Sequence, residues 1–324
     1  MREIIIHKNE NEQRLDRFLQ KYLEKAPRSF IFKMIRKKNI KVNDKKANPE
    51  TTIYEGDKIQ LYLSDETIDK FIAEKKPLKS KLIPNIVYED NNILLINKEV
   101  GILAHGAGGP FEENIVDSMI NYLIEKGDYV PRIEKTFTPS ICNRLDRNTS
   151  GLIIGAKNYD SLKEINEAIK NSHIRKFYKT IVKGKVEKEL KAEAYLSKDE
   201  DKNIVEVSKQ DSDGSKKIVT NIKPLKYQNG YTLLEIELIT GRTHQIRGHL
   251  ASLGYPVIGD RKYGDKAINT RFREEYGLES QWLHGYKVEF HGLRDNLSYL
   301  NGKSYESKPN NKYLKIEESL FATI

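Results

Sequence analysis

The chain has 324 residues, 38% hydrophobic and 32% charged, with 56 Lys and Arg against 47 Asp and Glu and a formal net charge of +9. That length suits about two domains with a sizeable core, and no apolar run approaches the roughly 18 residues of a transmembrane helix. A single cysteine, Cys142, excludes an internal disulfide and a cysteine-based metal cluster within one chain. The start, MREIIIHKNENEQ, has neither the apolar stretch nor the cleavage site of a signal peptide, so a soluble cytoplasmic protein is expected.

The first segment reads as a small α+β unit over residues 1–63. Leu15, Phe18, Leu19, Tyr22 and Leu23 recur at helical spacing and predict an amphipathic helix over 14–25. PRSFIFKMIRKK starts a second helix, with Pro27 in its first turn and Ile31, Met34 and Ile35 as its apolar stripe. IKVND and YEGDKIQLYL follow as two short strands, the second opening on a Gly56-Asp57 turn. Residues 1–63 carry 15 Lys and Arg against 9 Asp and Glu, and residues 25–46 hold nine basic residues against one acid, Asp44. Such a concentration attracts a polyanion, usually nucleic acid; on charge alone a solvated lysine-rich helix face is an equal alternative.

Residues 64–84 are charged, contain two prolines and lack apolar periodicity, which predicts a linker, with room for a short helix. From about 85 to 300 the texture changes. NIVYEDNNILLINK predicts strand, turn and strand, followed by the glycine-rich run HGAGGP. GLIIGAK is a further strand, Asn158 caps a helix over 159–171, and IRKFYKTIVKG, NIVEVS, KIVTNIKPL and YTLLEIELI are strands. HQIRGHLASLG predicts a helix ending at Gly254. Strands that follow one another without crossover helices predict an α+β fold with a mixed, mostly antiparallel sheet. Residues 301–324 read as a C-terminal tail without clear chemistry.

Reactive side chains concentrate in NRLDRNTSG, RKFYKTIVKG and TGRTHQIRGH. In the first, Asp146 stands between Arg144 and Arg147 in a polar turn; taken alone, an Asx-type turn explains it best. In the third, Arg242, His244, Gln245, Arg247 and His249 fall within eight residues. His244 and Arg247 share a helix side at i, i+3 spacing, and an Arg able to pair with an Asp among phosphate-gripping donors suits this group better than a metal site. The glycine-rich run is neither a Walker loop nor a dinucleotide fingerprint, no paired carboxylates stand out as in a glycosidase, and no nucleophile elbow is present.

Together these segments resemble the pseudouridine synthases that modify ribosomal large-subunit RNA. The family's His-Arg-Leu-Asp-x-x-Thr-Ser-Gly motif has its counterpart in Asn143 to Gly151, and its Lys-x-Tyr-x-x-x-Val-x-Gly strand in Lys176 to Gly184. Its Gly-Arg-Thr-His-Gln-Ile-Arg stretch is present letter for letter at 241–247, followed by GYPVIGDRKYG. The front unit resembles the alpha-L type RNA-binding domain through Arg14-Leu15-Asp16, Arg28-Ser29, Val42-Asn43-Asp44 and Gly56-Asp57. Departures are Asn143 for the usual His, Gly248 for a common Val and Asp44 for a Gly; Asn143 is the one expected to alter how the flipped base is held.

The resemblance implies isomerisation of specific uridines to pseudouridine, in large-subunit (23S) ribosomal RNA first and transfer RNA as the alternative. The catalytic residues would be Asp146, Tyr178 and Arg247, with Asp146 acting on the sugar as nucleophile or base. RNA would be held by Arg144, Arg242, His244 and Gln245 in the second domain, and by Arg28, Lys33, Arg36, Lys37 and Lys38 in the first. No cofactor, metal or membrane is expected, and a monomer is the default. A non-catalytic RNA-binding protein and a nucleoside hydrolase are the rival classes; the first has no need of that trio, and the second lacks a visible second carboxylate.

The tetrapeptide RLDR occurs twice, at Arg14 to Arg17 and Arg144 to Arg147. On this reading Asp16 belongs to the start of a helix, whereas Asp146 carries the chemistry. Asp16→Ala should leave turnover on saturating RNA largely intact and Asp146→Ala should abolish it; loss of turnover in a folded Asp16→Ala protein overturns the distinction.

Overall fold

A computed structural model describes residues 1–72, 80–106, 112–131, 136–199 and 203–322. Most of the predicted linker's centre, 73–79, and residues 107–110 of the glycine-rich run lie outside the described residues.

The front unit is a four-stranded sheet, Arg2–Ile5, Lys58–Leu61, Ile40–Val42 and Lys45–Lys46 in spatial order, packed on helices Leu15–Tyr22 and Arg28–Arg36. The first helix is shorter than predicted: Pro27 biases the preceding residue out of helical geometry, and the chain turns before it. Leu15, Phe18, Leu19, Ile31, Ile35 and Ile59 form the core, each such side chain contributing about 1.5–3 kcal/mol when fully buried. The hairpin between Ile40–Val42 and Lys45–Lys46 turns through Asn43 (φ 49°) and Asp44 (φ 65°). Two consecutive left-handed residues make a type I′ turn, which favours Asn, Asp and Gly. Asp44 stands there without strain relief from glycine because Gln60 accepts from its N–H at 3.0 Å and donates to its carboxylate at 2.6 Å.

The predicted linker opens with structure of its own. Ser64 caps helix Asp65–Phe71, accepting from Thr67 N–H. Ile68 is buried in the front core, Phe71 meets Phe30 at 4.8 Å between ring centroids, and Arg2 reaches Asp65 and Asp69 at 3.0 and 2.8 Å. The front unit therefore extends to about residue 72.

The second domain is built on an eleven-stranded sheet. Its main path runs Ile204–Ser208, Leu190–Asp199, Lys216–Gln228, Tyr231–Leu238, Ile174–Lys183, Leu283–Phe290, Ser150–Ala156, Ile93–Lys98 and Ile86–Glu89. Every pair is antiparallel except Ser150–Ala156 with Leu283–Phe290. Ser150–Ala156 is buried throughout because both sheet faces are covered there. Ile153, Leu94 and Ile96 meet helix Ile115–Lys126 on one face, and Leu152, Ile154 and Leu95 meet helix Tyr159–Lys170 on the other. Asn114 and Asn158 cap those helices through their side chains, each worth about 1 kcal/mol. The parallel pair requires glycine: a Cβ on Gly151 would lie 2.2 Å from the Gly285 carbonyl oxygen.

Several elements escaped the sequence reading, among them strands Leu190–Asp199 and Leu283–Phe290 and helix Lys266–Tyr276. Ile115–Lys126 is a full helix, and residues 301–322 are not a loose tail: Ser304–Glu306 pairs with Leu283–Phe290, and helix Asn311–Phe321 buries Tyr313, Ile316 and Leu320 against Trp282 and Phe272. The domains touch where Asn9 Oδ1 accepts from Tyr159 N–H at 3.1 Å and Lys21 lies 5.4 Å from the Tyr159 ring centroid.

His284 pins the same region. Its Nε2 faces the Ser307 carbonyl at 3.1 Å and so carries the proton, leaving Nδ1 to accept from Ser150 Oγ at 2.8 Å. Burial lowers its pKa to about 4. Since the unfolded chain takes up this proton near pH 6.5 and the native one does not, stability is full above that pH. It falls as pH drops toward 4, by on the order of 3 kcal/mol. His284→Gln should flatten that part of the stability curve measured by urea unfolding at pH 7, 5.5 and 4; an unchanged curve would mean the ring charges freely in the native state.

Candidate active site

Asp146 lies in the turn before Ser150–Ala156, at a cleft of about 930 Å³. The turn closes on itself through Thr149 N–H to the Asp146 carbonyl at 3.0 Å. It is anchored from beneath by Lys98, whose buried ammonium donates to the carbonyls of Glu99, Ile102 and Arg147 at 2.8, 2.8 and 2.9 Å. Burial pulls the Lys98 pKa down to about 7, opposed by the charge of Asp146. Arg147 donates back to the Gly101 carbonyl at 3.0 Å, so two loops are tied at the base of the cleft.

Arg247, on helix Gln245–Ser252, joins two carboxylates. Its Nε and Nη2 donate to the two oxygens of Asp260 at 2.7 and 2.9 Å, and its Nη1 donates to Asp146 Oδ2 at 3.0 Å. Asp260 is fully buried and Arg247 6% exposed, whereas the Asp146 side chain keeps 26% of its surface open. Asp260 also accepts from the N–H groups of Lys262 and Tyr263 at 2.9 and 3.1 Å. The turn carrying it depends on Gly259 (φ 76°), where a Cβ would lie 2.3 Å from the Ser280 carbonyl oxygen. The fork on Asp260 fixes the guanidinium plane, and the remaining N–H fixes one oxygen of Asp146. Asp146 Oδ1 has no partner among the described residues.

His244 precedes this helix in left-handed geometry (φ 51°) rather than within it. Tyr263 Oη accepts from Val205 N–H at 2.8 Å and meets His244 Nδ1 at 2.9 Å. Its ring also lies 5.2 Å from the Arg247 guanidinium, a stacking contact that favours the cation. Burial lowers the His244 pKa, with Asp146 opposing and Arg247 and Lys262 adding to the fall. Nδ1 of the neutral ring thus accepts a hydrogen bond from Tyr263 Oη, and Nε2–H turns toward Asp146 Oδ2, 3.9 Å away.

Tyr178 approaches from the other wall. Strand Ile174–Lys183 pairs Phe177 with Lys287 and Lys179 with His284, so Gly285 and Tyr286 together oppose Tyr178 in a bulge, which re-aims side chains beside functional sites. The ring lies over Gly285, where a Cβ would come within 3.1 Å of it. Burial, and secondarily the charge of Asp146, raise the Tyr178 pKa, so the phenol stays protonated.

The remaining expected residues divide. Arg144 and Arg242 are exposed at the cleft. Arg28, Lys33, Arg36, Lys37 and Lys38 are exposed on and just after the front unit's second helix, beside a groove of about 680 Å³ that also includes Lys46. Repulsion from Lys38 lowers the Lys46 pKa. Gln245 does not fit an RNA-contacting role: 2% exposed, it donates to Val219 O and Thr220 Oγ1 and accepts from Thr240 Oγ1 and Arg242 N–H. Asn143 likewise spends its amide on the strand, donating to Leu152 O and accepting from Ile154 N–H. Gly248 is needed as glycine here, since a Cβ would lie 2.8 Å from Val205 Cγ2.

Sequence reasoning missed Asp260, Tyr263 and Lys98. Asp260 and Tyr263 lie in GYPVIGDRKYG, where no local spacing marks them, and Lys98 ends an apolar strand, where a lysine is itself a signal. Arg247→Met, which strands Asp260 without a counter-charge, should cost about 3–5 kcal/mol, whereas Asp146→Asn should leave stability nearly unchanged. Equal urea midpoints for wild type and Arg247→Met would remove the fork from the fold's supports.

Residues 92–252 match the RNA pseudouridylate synthase family and residues 13–59 match the S4 domain. An uncharacterized RNA pseudouridine synthase of Mycoplasma capricolum is 32% identical over 313 residues, covering 95% of this chain and 98% of that protein. Ribosomal large subunit pseudouridine synthase C of Escherichia coli is 30% identical over 294 residues, covering 89% and 88%. Among solved structures, human RNA pseudouridylate synthase domain containing 4 shares the fold with a TM-score of 0.57 and 21% identity, over 72% of this chain and 92% of that one. With its front S4 domain and its Asp–Arg–Asp cleft, the chain belongs to the RNA pseudouridine synthases.

Proposed function

We propose that this enzyme converts uridines of large-subunit ribosomal RNA to pseudouridine, with Asp146 as its essential carboxylate and the target base flipped into the cleft. The observation that carries this reading is the one-sided hold on Asp146. Arg247 and His244 both address Oδ2, and Oδ1 is left toward the reacting sugar. The substrate class is supported by relatives named for the large ribosomal subunit, one of them 30% identical over most of the chain.

A stacked uridine hides its anomeric carbon and base edge, so the nucleotide must leave the helix, at a cost of a few kcal/mol. Arg144, exposed beside Asp146 and without a partner among the described residues, is suited to fill the vacated place or to hold a phosphate. Tyr178 offers a ring held flat by Gly285 for the flipped base. Asp146 Oδ1 then either adds to the anomeric carbon or removes the neighbouring sugar proton; both routes use the same oxygen. The bond from N1 breaks with its electron pair on the base, the base turns, C5 joins the sugar and the C5 proton is released. Exposed cations on the front S4 domain extend the phosphate contacts beyond the cleft. Work on ribosomal RNA would put the enzyme in the cytoplasm.

Ribosomal RNA carrying tritium at uracil C5 tests this directly. Wild type should release tritium to water and Asp146→Asn should release none. Release from transfer RNA alone would move the substrate, and release by Asp146→Asn would remove Asp146 from the chemistry.

A further inference from the structure

Among the cations that line the cleft and have no task in the mechanism above, Lys176 is the one whose side chain is buried. Lys176 lies on strand Ile174–Lys183, two residues before Tyr178, and lines the cleft together with Tyr178 and Asp146. It is 8% exposed. Among the described residues it makes no hydrogen bond and no ion pair, and burial alone lowers its pKa, with no carboxylate opposing.

Among the described residues the other buried cations are satisfied. Lys98 has three carbonyls, Arg247 two carboxylates, and Lys157 the carboxylates of Glu89 and Asp128. The Lys176 side chain is buried along its stem, but its ammonium nitrogen is not among the fully enclosed polar atoms and opens on the cleft with no counter-charge, so Lys176 is poised for a negative oxygen that arrives with the substrate. A phosphodiester is met more readily by Arg144 and Arg242, which are exposed at the same cleft. Lys176 sits within the wall, next to the ring that takes the base.

We propose that Lys176 is the cation that faces the flipped uracil and receives the negative charge developing on its carbonyl oxygens as the bond from N1 to the sugar breaks. This rests on the reaction proposed above. When that bond breaks, its electron pair leaves with the base and spreads over N1, O2 and O4, so the detached base is a monoanion. Lys176 donates a hydrogen bond to one carbonyl oxygen and keeps its proton. When C5 attacks the sugar carbon the charge is discharged, and the C5 proton later leaves to solvent. A fixed donor in a water-poor site stabilises such charge without having to reorganise.

The test compares wild type, Lys176→Met and Lys176→Arg by single-turnover tritium release, equilibrium binding of the same RNA, and thermal unfolding. Lys176→Met exchanges an unpaired charge for an apolar chain of similar length, so its melting temperature should equal or exceed that of wild type. Its rate should fall at least about a hundredfold with RNA affinity unchanged, and Lys176→Arg should recover part of the rate. Weaker binding with a wild-type rate would make Lys176 a phosphate contact and overturn the proposal. A lower melting temperature with wild-type chemistry, or failure to fold, would make it a structural residue and overturn it equally. If wild type itself releases no tritium, the proposed reaction fails, an outcome distinct from any of these.

Discussion

Much of this enzyme turns on a guanidinium shared unequally between two carboxylates. Asp260, fully buried, takes the bidentate fork of Arg247, and Asp146, at the cleft, takes the single remaining N–H. One guanidinium shared between two carboxylates leaves Asp146 Oδ1 without a partner among the described residues. The planar fork is what makes this possible: a lysine could balance charge but could not fix two carboxylates at once. Around this pair the fold supplies supports from several elements: a glycine turn for Asp260, a helix start for Arg247, a carbonyl-capped lysine beneath Asp146 and a tyrosine across the guanidinium.

The two RLDR tetrapeptides illustrate how context overrides local sequence. In the front unit Arg14 clamps Asp16 bidentately at 3.0 Å through each oxygen, and the carboxylate is only 2% exposed, accepting also from Arg17 N–H. There the tetrapeptide satisfies itself and Asp16 has nothing left to offer. In the second copy the equivalent Arg144 points away into the cleft, and the partner comes from 101 residues downstream. The same letters make a closed turn in one place and an open carboxylate in the other.

How much of this was legible in the sequence follows the range of the interactions. Alternating or helical spacing gave the front unit's elements and most strands of the large sheet, because those patterns record which side meets the core. The helix over Ile115–Lys126 and the C-terminal helix were passed over although Tyr313, Ile316 and Leu320 recur at helical spacing. Asp146, Tyr178 and Arg247 stand out as candidates through motif resemblance, and only the pairing of Arg247 with an Asp was suggested by the residues themselves. Gln245 looked like a phosphate donor because its letter is polar; only the backbone around it, which consumes all its hydrogen bonds, reveals a structural use. Asn143, which stands for the family's usual His, was expected to alter how the flipped base is held, and its amide instead pairs with the strand beside the Asp146 turn. Tyr263 and Asp260 act through partners far along the chain, which spacing cannot display.

The glycine pair at the parallel crossing has a consequence for how the molecule is made. Ser150–Ala156 obtains its neighbour Leu283–Phe290 from more than a hundred residues later, and that neighbour is itself held by the strand and helix that follow it. During synthesis the Asp146 turn therefore leaves the ribosome well before the strand that lines its other side. Tyr178 has no Gly285 to rest on, and Ser150 no His284 to bind, until residues 284 and 285 have emerged. Long-range pairing of this kind is slow to form. A nascent chain of this enzyme would carry its S4 domain folded and able to meet RNA while its own chemistry is still unassembled, so RNA contact can precede competence within a single round of translation.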